Sequence, residues 1–327
     1  MKNWLTQTGL LCIGVIAIYS FIPVESKVES TLPPKISLDN VATHYSSPKL
    51  KITDNILSPV IASKINAGLL LDITTNEIIW QKNLNVSFPV ASLTKMMVAL
   101  LTLEDIREGK IDWETKVTIN TAASLIGGSQ VYLKKNEVYT VEELLKGAMI
   151  SSGNDAAYQL ADFLAGSQDS FVIRMNIMAE KMGMSSTKFF NTTGLPSEFK
   201  GGNENSSTPS DLSILVSELL KYDELLSITN KPYDILVNGK RKLKLRNHNL
   251  LVNSYSFIDG LKTGYTCKAG FCIAVTATIE NHRVVAIVLG SKNRNFRDQI
   301  TLSMLKNYNA QLGDGKTQGF VGKVGCL

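Results

Sequence analysis

Two hairpin signals stand far apart in this chain, and together they constrain its fold more than any other feature. Ala67 to Ile73 (AGLLLDI) and Glu77 to Gln81 flank the polar turn Thr74-Thr75-Asn76, while Phe271 to Ile279 and Arg283 to Leu289 flank Glu280-Asn281-His282. A single antiparallel sheet forms from these pieces only if the two ends of the domain meet. Whatever lies between must then be an insertion.

That insertion reads as helical. Leu93 to Glu104 is apolar nearly all round, which suits a helix buried in the middle of a domain. Thr140-Val141-Glu142-Glu143 is a capping box ahead of Leu144, Leu145, Ala148 and Met149. Asp155 to Leu164 repeats the helical spacing and Gly166 stops it, and Thr208-Pro209-Ser210-Asp211 opens another helix with Pro in its first turn. The expected class is therefore α/β (α+β): an antiparallel sheet lobe carrying an inserted helical lobe, with a cleft between them.

At 327 residues, 44% apolar, with a mean hydropathy of +0.05, the chain can bury a proper core. A net charge of +5 spread over scattered Lys and Arg argues against a nucleic-acid partner. The apolar stretch Leu10 to Val24 follows Lys2 and falls short of the ~20 residues of a membrane span. Residues 1–26 are read as a secretory signal, with an uncleaved anchor as the alternative, and so as a route to export. Cys12 follows the bulky Leu11 with almost no apolar segment before it, which argues against lipidation. Residues 27–55 read as a linker, 56–310 as the folded domain and 311–327 as a loose tail. Cys267 and Cys272 flank a turn and stand either as a bridge or as two free thiols.

Three short strings carry the chemistry: Ser92-Leu93-Thr94-Lys95, Ser152-Gly153-Asn154 and Lys262-Thr263-Gly264. Each alone is weak. Ser-x-x-Lys recurs at Ser46, Ser185, Ser197 and Ser303, and Ser-x-Asn at Ser291, although Lys-Thr-Gly occurs once. Placement makes them a set. Ser92 falls at the start of the central helix, where free N–H groups and the helix dipole favour developing negative charge. Lys95 lies one turn on and faces the same way. Acting as a base, it must be neutral, which takes roughly 4 to 5 kcal/mol of bias against its charged form. Ser152 and Asn154 sit between two helices, able to relay a proton and to bind a peptide group, or equally to serve as turn and cap. Lys262 supplies positive charge, Thr263 a hydroxyl for a carboxylate, and Gly264 a close backbone approach; the N–H of Tyr265 pairs with that of Ser92 as an oxyanion hole.

ASLTKMMVALLTLE at 91–104, GSQVYLKKNEVYTVEELLKGAMISSGNDAA at 128–157, NTTGL at 191–195 and DGLKTGYTCKAGF at 259–271 closely resemble the serine-type D-alanyl-D-alanine carboxypeptidases, the low-molecular-mass penicillin-binding proteins. The likeness runs from about Ala67 to Tyr308. It implies a penicillin-binding, β-lactamase-like fold acting on peptidoglycan stem peptides, with β-lactam antibiotics as inhibitors. It further implies Ser92 as nucleophile, Lys95 as its base, Ser152 and Lys262 as relay and electrostatic support, and Asn154 as donor-peptide ligand. An arginine beyond the last strand binds the terminal carboxylate in the family; spacing after Gly290 matches Arg297, with Arg294 the second choice.

Many members continue into a β-rich domain and an amphipathic anchor. The sequence after Tyr308 shows neither, so membrane attachment is expected to depend on the amino-terminal segment being retained. The expected location is the periplasm or cell envelope, either anchored at the inner membrane or free. Glu-x-x-Leu-Asn, the loop with which class A β-lactamases activate the deacylating water, is absent, and Gly153 replaces their Asp. A D,D-endopeptidase uses the same three strings and is the nearer alternative. Outside enzymes, a non-catalytic wall-binding module keeps the fold without the chemistry. His44, His248 and His282 are isolated, so neither a metal site nor a Ser-His-Asp triad is expected, and the motifs call for no cofactor.

Overall fold

The computed structural model describes residues 48–52, 56–196 and 202–313. The leader, most of the linker and the tail after Gly313 lie outside the described residues, as do His44, Cys12 and the strings at Ser46 and Ser197. The two ends of the domain meet. Strands β2 (Ala67–Asp72) and β3 (Glu77–Lys82) form the first hairpin, and β4 (Ile258–Thr266), β5 (Gly270–Ile279) and β6 (His282–Ser291) form an antiparallel meander. The pairing of β6 with β2, from Val284↔Asp72 to Leu289↔Ala67, joins them. Lys49–Leu50, within the stretch read as linker, forms β1 and pairs in parallel with Glu77–Ile78. The order across the sheet is β1-β3-β2-β6-β5-β4, so β4 is an edge.

Every residue of β2 is buried because both faces of the sheet are covered. Alternation along β2 and β6 sends Leu69, Leu71, Val285 and Ile287 to one core and Leu70, Val284, Ala286 and Val288 to another. The second core is closed by the last helix, Arg294–Leu312, through Ile300, Met304, Leu305 and Tyr308. Asp72 ends β2 fully buried and accepts hydrogen bonds from Tyr308 Oη (2.6 Å) and the Thr74 amide (2.8 Å), with His282 Nδ1 at 2.5 Å. Burial pushes its pKa up, but these bonds outweigh it and hold the carboxylate below its usual range.

The helical lobe packs on the first core. Helix α1 (Lys95–Arg107) buries every residue from Lys95 to Leu103; α2 (Val141–Ile150), α3 (Asn154–Ala165), α4 (Gln168–Lys181) and α5 (Pro209–Leu219) pack against it, and α6 (Asp223–Thr229) packs on α2 and β4. The capping box forms: the Glu143 amide donates to Thr140 Oγ1 (3.0 Å) and the Thr140 amide to Glu143 Oε2 (2.9 Å). Gly166 ends α3 in the left-handed region, and Thr208 caps α5 ahead of Pro209. Among the described residues, no helix is long and apolar enough to cross a membrane.

Candidate active site

Ser92 lies in a 3₁₀ turn, Ala91–Thr94, immediately before α1, rather than inside the helix itself. Packing tightens the turn from two sides. A Cβ on Gly264 of β4 would stand 2.9 Å from the Val90 carbonyl and 3.0 Å from the Ser92 amide nitrogen, while one on Gly194 would stand 2.0 Å from the Ala91 carbonyl. The close approach that Gly264 permits is thus to the turn that carries Ser92.

Lys95 is fully buried one turn beyond. Its Nζ is 3.0 Å from Ser92 Oγ, 2.7 Å from Asn154 Oδ1 and 2.6 Å from the Thr193 carbonyl. Neither carbonyl oxygen can donate, so both draw N–H groups. A neutral amine has two of these, which leaves its lone pair for the Ser92 hydroxyl. The Asn154 orientation is fixed because its Nδ2 donates to the Gly127 carbonyl (2.8 Å). Burial pulls the Lys95 pKa down to about 7, against the opposing charge of Asp155.

Ser152 occupies the turn between α2 and α3 with φ +57°, in the left-handed region. A non-glycine residue there costs about 1–3 kcal/mol and persists only where its surroundings hold it. Lys262 Nζ donates to Ser152 Oγ (2.8 Å) and to the Thr263 carbonyl (2.9 Å), and the Gly153 amide donates to Gly147 O (3.0 Å). Lys262 is 1% exposed; burial, with Lys95 and Arg297 nearby, pushes its pKa far below the usual lysine range. The N-cap of α3 is Gly153, not Asn154. Asn154 spends its oxygen and one N–H inside the protein, leaving one N–H for a ligand.

A cleft of ≈ 190 Å³ is lined by Ser92, Ser152, Thr263, Gly264, Tyr265 and both Arg294 and Arg297. Arg297 is buried and held by Asp298 Oδ1 through Nε (2.8 Å) and Nη2 (2.6 Å); Arg294 is exposed at the mouth. The Tyr265 ring, 54% exposed, lies 4.2 Å from that of Phe271. Two arginines on one small cleft favour an anionic ligand. The described cysteines are free: Cys272 is buried opposite Gly264, and Cys267 is exposed in the turn, so the bridge does not form.

Sequence reasoning missed several supports. Asp155 accepts the amides of Val131 and Leu133 (3.1 and 3.0 Å) and fixes the 131–133 loop beside Asn154. Asn191 Oδ1 accepts the amides of Thr193 (3.1 Å) and Gly194 (2.7 Å), which aims the Thr193 carbonyl at Lys95. Asn205 Nδ2 ties this loop to Thr94 Oγ1 (2.8 Å). His248 lines the cleft as well; burial and the charges of Lys262, Arg294, Lys95 and Arg297 push its pKa down to about 4. NTTGL was a visible signal for the Asn191 loop, whereas nothing marked Asn205 or His248.

A serine beside a buried lysine, at the seam between a helical lobe and an antiparallel sheet, fits the fold of the penicillin-binding proteins. The chain belongs to the D-alanyl-D-alanine carboxypeptidase family, peptidase S11, whose model matches residues 56–293. It is 37% identical over 246 residues to the D-alanyl-D-alanine carboxypeptidase DacF of Bacillus subtilis, covering 75% of this chain and 62% of that protein. It is 31% identical to the D-alanyl-D-alanine endopeptidase of Escherichia coli, covering 73% and 76%. Penicillin-binding protein D2 of Listeria monocytogenes, solved in an ampicillin-bound form, superposes with a TM-score of 0.66 at 31% identity, covering 74% of this chain and 96% of that one. The chain spans less than two thirds of the length of the carboxypeptidases first matched.

Proposed function

We propose that the protein is a serine-type D-alanyl-D-alanine carboxypeptidase that removes the terminal D-alanine from peptidoglycan stem pentapeptides. The observation that carries this reading is the buried Lys95 amine, 3.0 Å from Ser92 Oγ and held by Asn154 Oδ1 (2.7 Å) and the Thr193 carbonyl (2.6 Å). Ser92 Oγ attacks the penultimate D-alanine carbonyl as its proton passes to Lys95. The backbone N–H groups of Ser92 and Tyr265 hold the oxyanion. The C–N bond then breaks, and the leaving amine takes its proton through Ser152, whose hydroxyl rests on Lys262. Water hydrolyses the acyl-enzyme. Thr263 and Arg297, with Arg294 at the mouth, bind the carboxylate of the departing residue, while Asn154 orients the donor peptide. β-lactams acylate the same serine.

Residues 56–310 form the catalytic domain in this reading, 1–26 a signal or anchor, 27–55 a linker and 311–327 a tail. The enzyme works outside the inner membrane, in the periplasm or envelope, with any membrane attachment through the amino-terminal segment. The name of the E. coli relative keeps D,D-endopeptidase as a second reading. Incubation with a defined pentapeptide and a cross-linked dimer separates the two. Free D-alanine from the pentapeptide supports the carboxypeptidase; cleavage of the dimer alone overturns it in favour of the endopeptidase.

A further inference from the structure

Tyr233–Asn238 and Arg241–Arg246 form a two-stranded ribbon at the foot of the helical lobe. Its register sets Tyr233 opposite Arg246, Ile235 opposite Lys244, and Val237 opposite Lys242. All six are exposed, and the apolar three keep 58%, 47% and 56% of their surface. The ribbon's other face is conventional, with Leu236 and Leu245 buried in the core. A solvent-facing row of this kind is usually polar. Here a row of apolar side chains runs directly beside a row of cations.

The cations are unneutralised. Of the acids nearby, Asp234 pairs with Lys231 (3.0 Å) and Lys146 (3.9 Å), and Glu137 with Arg241 (2.7 Å). Glu114, Glu142 and Glu143 line a recess at the ribbon's edge together with Lys116 and Lys146, where Lys146 pairs with Glu142 (2.8 Å) and Glu143 caps its helix. Among the described residues, no ion pair involves Lys242, Lys244 or Arg246. Lys244 Nζ instead lies 5.2 Å from the centre of the Tyr233 ring. The patch continues at the tip, where Asn238 Nδ2 donates to the carbonyl of the exposed Val138 (3.0 Å).

We propose that this face docks the enzyme on the surface of an anionic phospholipid membrane, with Tyr233, Ile235 and Val237 entering the headgroup boundary and Lys242, Lys244 and Arg246 meeting lipid phosphates. A soluble polyanion satisfies the cations and leaves the apolar row in water, whereas a bilayer interface rewards both rows. The ribbon is joined to the active site: the Arg246 amide donates to Ser151 Oγ (2.9 Å), next to Ser152, and the chain runs on through Asn247 to His248 in the cleft. Docking therefore fixes the cleft's height above the bilayer.

Sedimentation of the full chain with vesicles tests this, using phosphatidylcholine alone and phosphatidylcholine with phosphatidylglycerol. Binding through the amino-terminal segment appears on both and serves as the baseline. The account predicts extra binding on the anionic vesicles. Lys242→Ala with Lys244→Ala should lower it about 25-fold, at roughly fivefold per charge, and Ile235→Ser with Val237→Ser should also lower it. Penicillin acylation of each variant, expected unchanged, shows that the fold is intact. Anionic-vesicle binding equal to wild type in the lysine variant overturns the proposal. So does binding that the serine variant leaves intact and heparin abolishes, which identifies an anionic-polymer site instead.

Discussion

Lys262 and Ser152 come from the edge of the sheet and from a turn of the helical lobe, and they meet at 2.8 Å. Each explains the other: Ser152 holds a left-handed backbone that places its hydroxyl on a buried amine, which donates also to its neighbour's carbonyl. Ser152→Ala should slow acylation by about 10²–10⁴-fold, the usual worth of a positioned proton-transfer group. Alanine inherits the same backbone strain, so the melting temperature should move far less than the rate. Stopped-flow acylation with a chromogenic β-lactam, paired with calorimetry, checks both.

In the proposed mechanism the Lys95 amine sets the pH dependence. With a pKa of about 7, acylation should rise through pH 7 as the base loses its proton. Folding stability is linked to the same group. Between about 7 and its ordinary 10.5, the unfolded chain holds a proton that the folded chain does not. This contribution to stability therefore grows as pH rises across that window and is flat below it. Lys95→Met should remove its share of the slope and leave that of the likewise buried Lys262. Asp155→Asn removes the charge that supports the ammonium, so the acid limb of the rate profile should move to lower pH.

Gly264→Ala tests the seam between β4 and the Ser92 turn. The new methyl meets backbone, Val90 O and Ser92 N, and neither can swing aside. A stability loss of about 1–3 kcal/mol is expected, with acylation reduced at least tenfold as the turn is displaced. Thermal unfolding and acylation rate on the same preparation measure the two effects.

The two arginines should separate cleanly. Arg294→Ala removes an exposed cation at the cleft mouth and should raise KM for a peptide substrate with little change in melting temperature. Arg297→Ala also leaves Asp298 without its partner, so it should lower stability as well as raise KM, by about 10–100-fold for a lost charged hydrogen bond. Steady-state kinetics and calorimetry on both variants decide which arginine binds the carboxylate.

Hydrophobic patterning carried the architecture because burial leaves a direct mark on sequence: AGLLLDI is apolar but for Asp72 since both its faces are covered, and the capping box is local chemistry. The close contacts of the site left fainter marks. Nothing local in Thr193 shows that its carbonyl faces Lys95 across the fold, and Asp155 reads as an ordinary first-turn acid until the 131–133 loop is seen folded onto it. Helix α4 and the last helix, Arg294–Leu312, were not read because polar residues interrupt their apolar spacing. The 3₁₀ turn at Ser92 also eluded the sequence, since it arises from packing against two distant glycines. The cysteine pair allowed two readings because spacing across a turn does not reveal which side chains face each other.

The most direct test is the intact mass of the protein after penicillin treatment, with the adduct mapped to its peptide. The account predicts one long-lived penicilloyl adduct on the peptide containing Ser92, and none on Ser92→Ala. An adduct on another residue, no adduct, or rapid catalytic turnover of penicillin would contradict it.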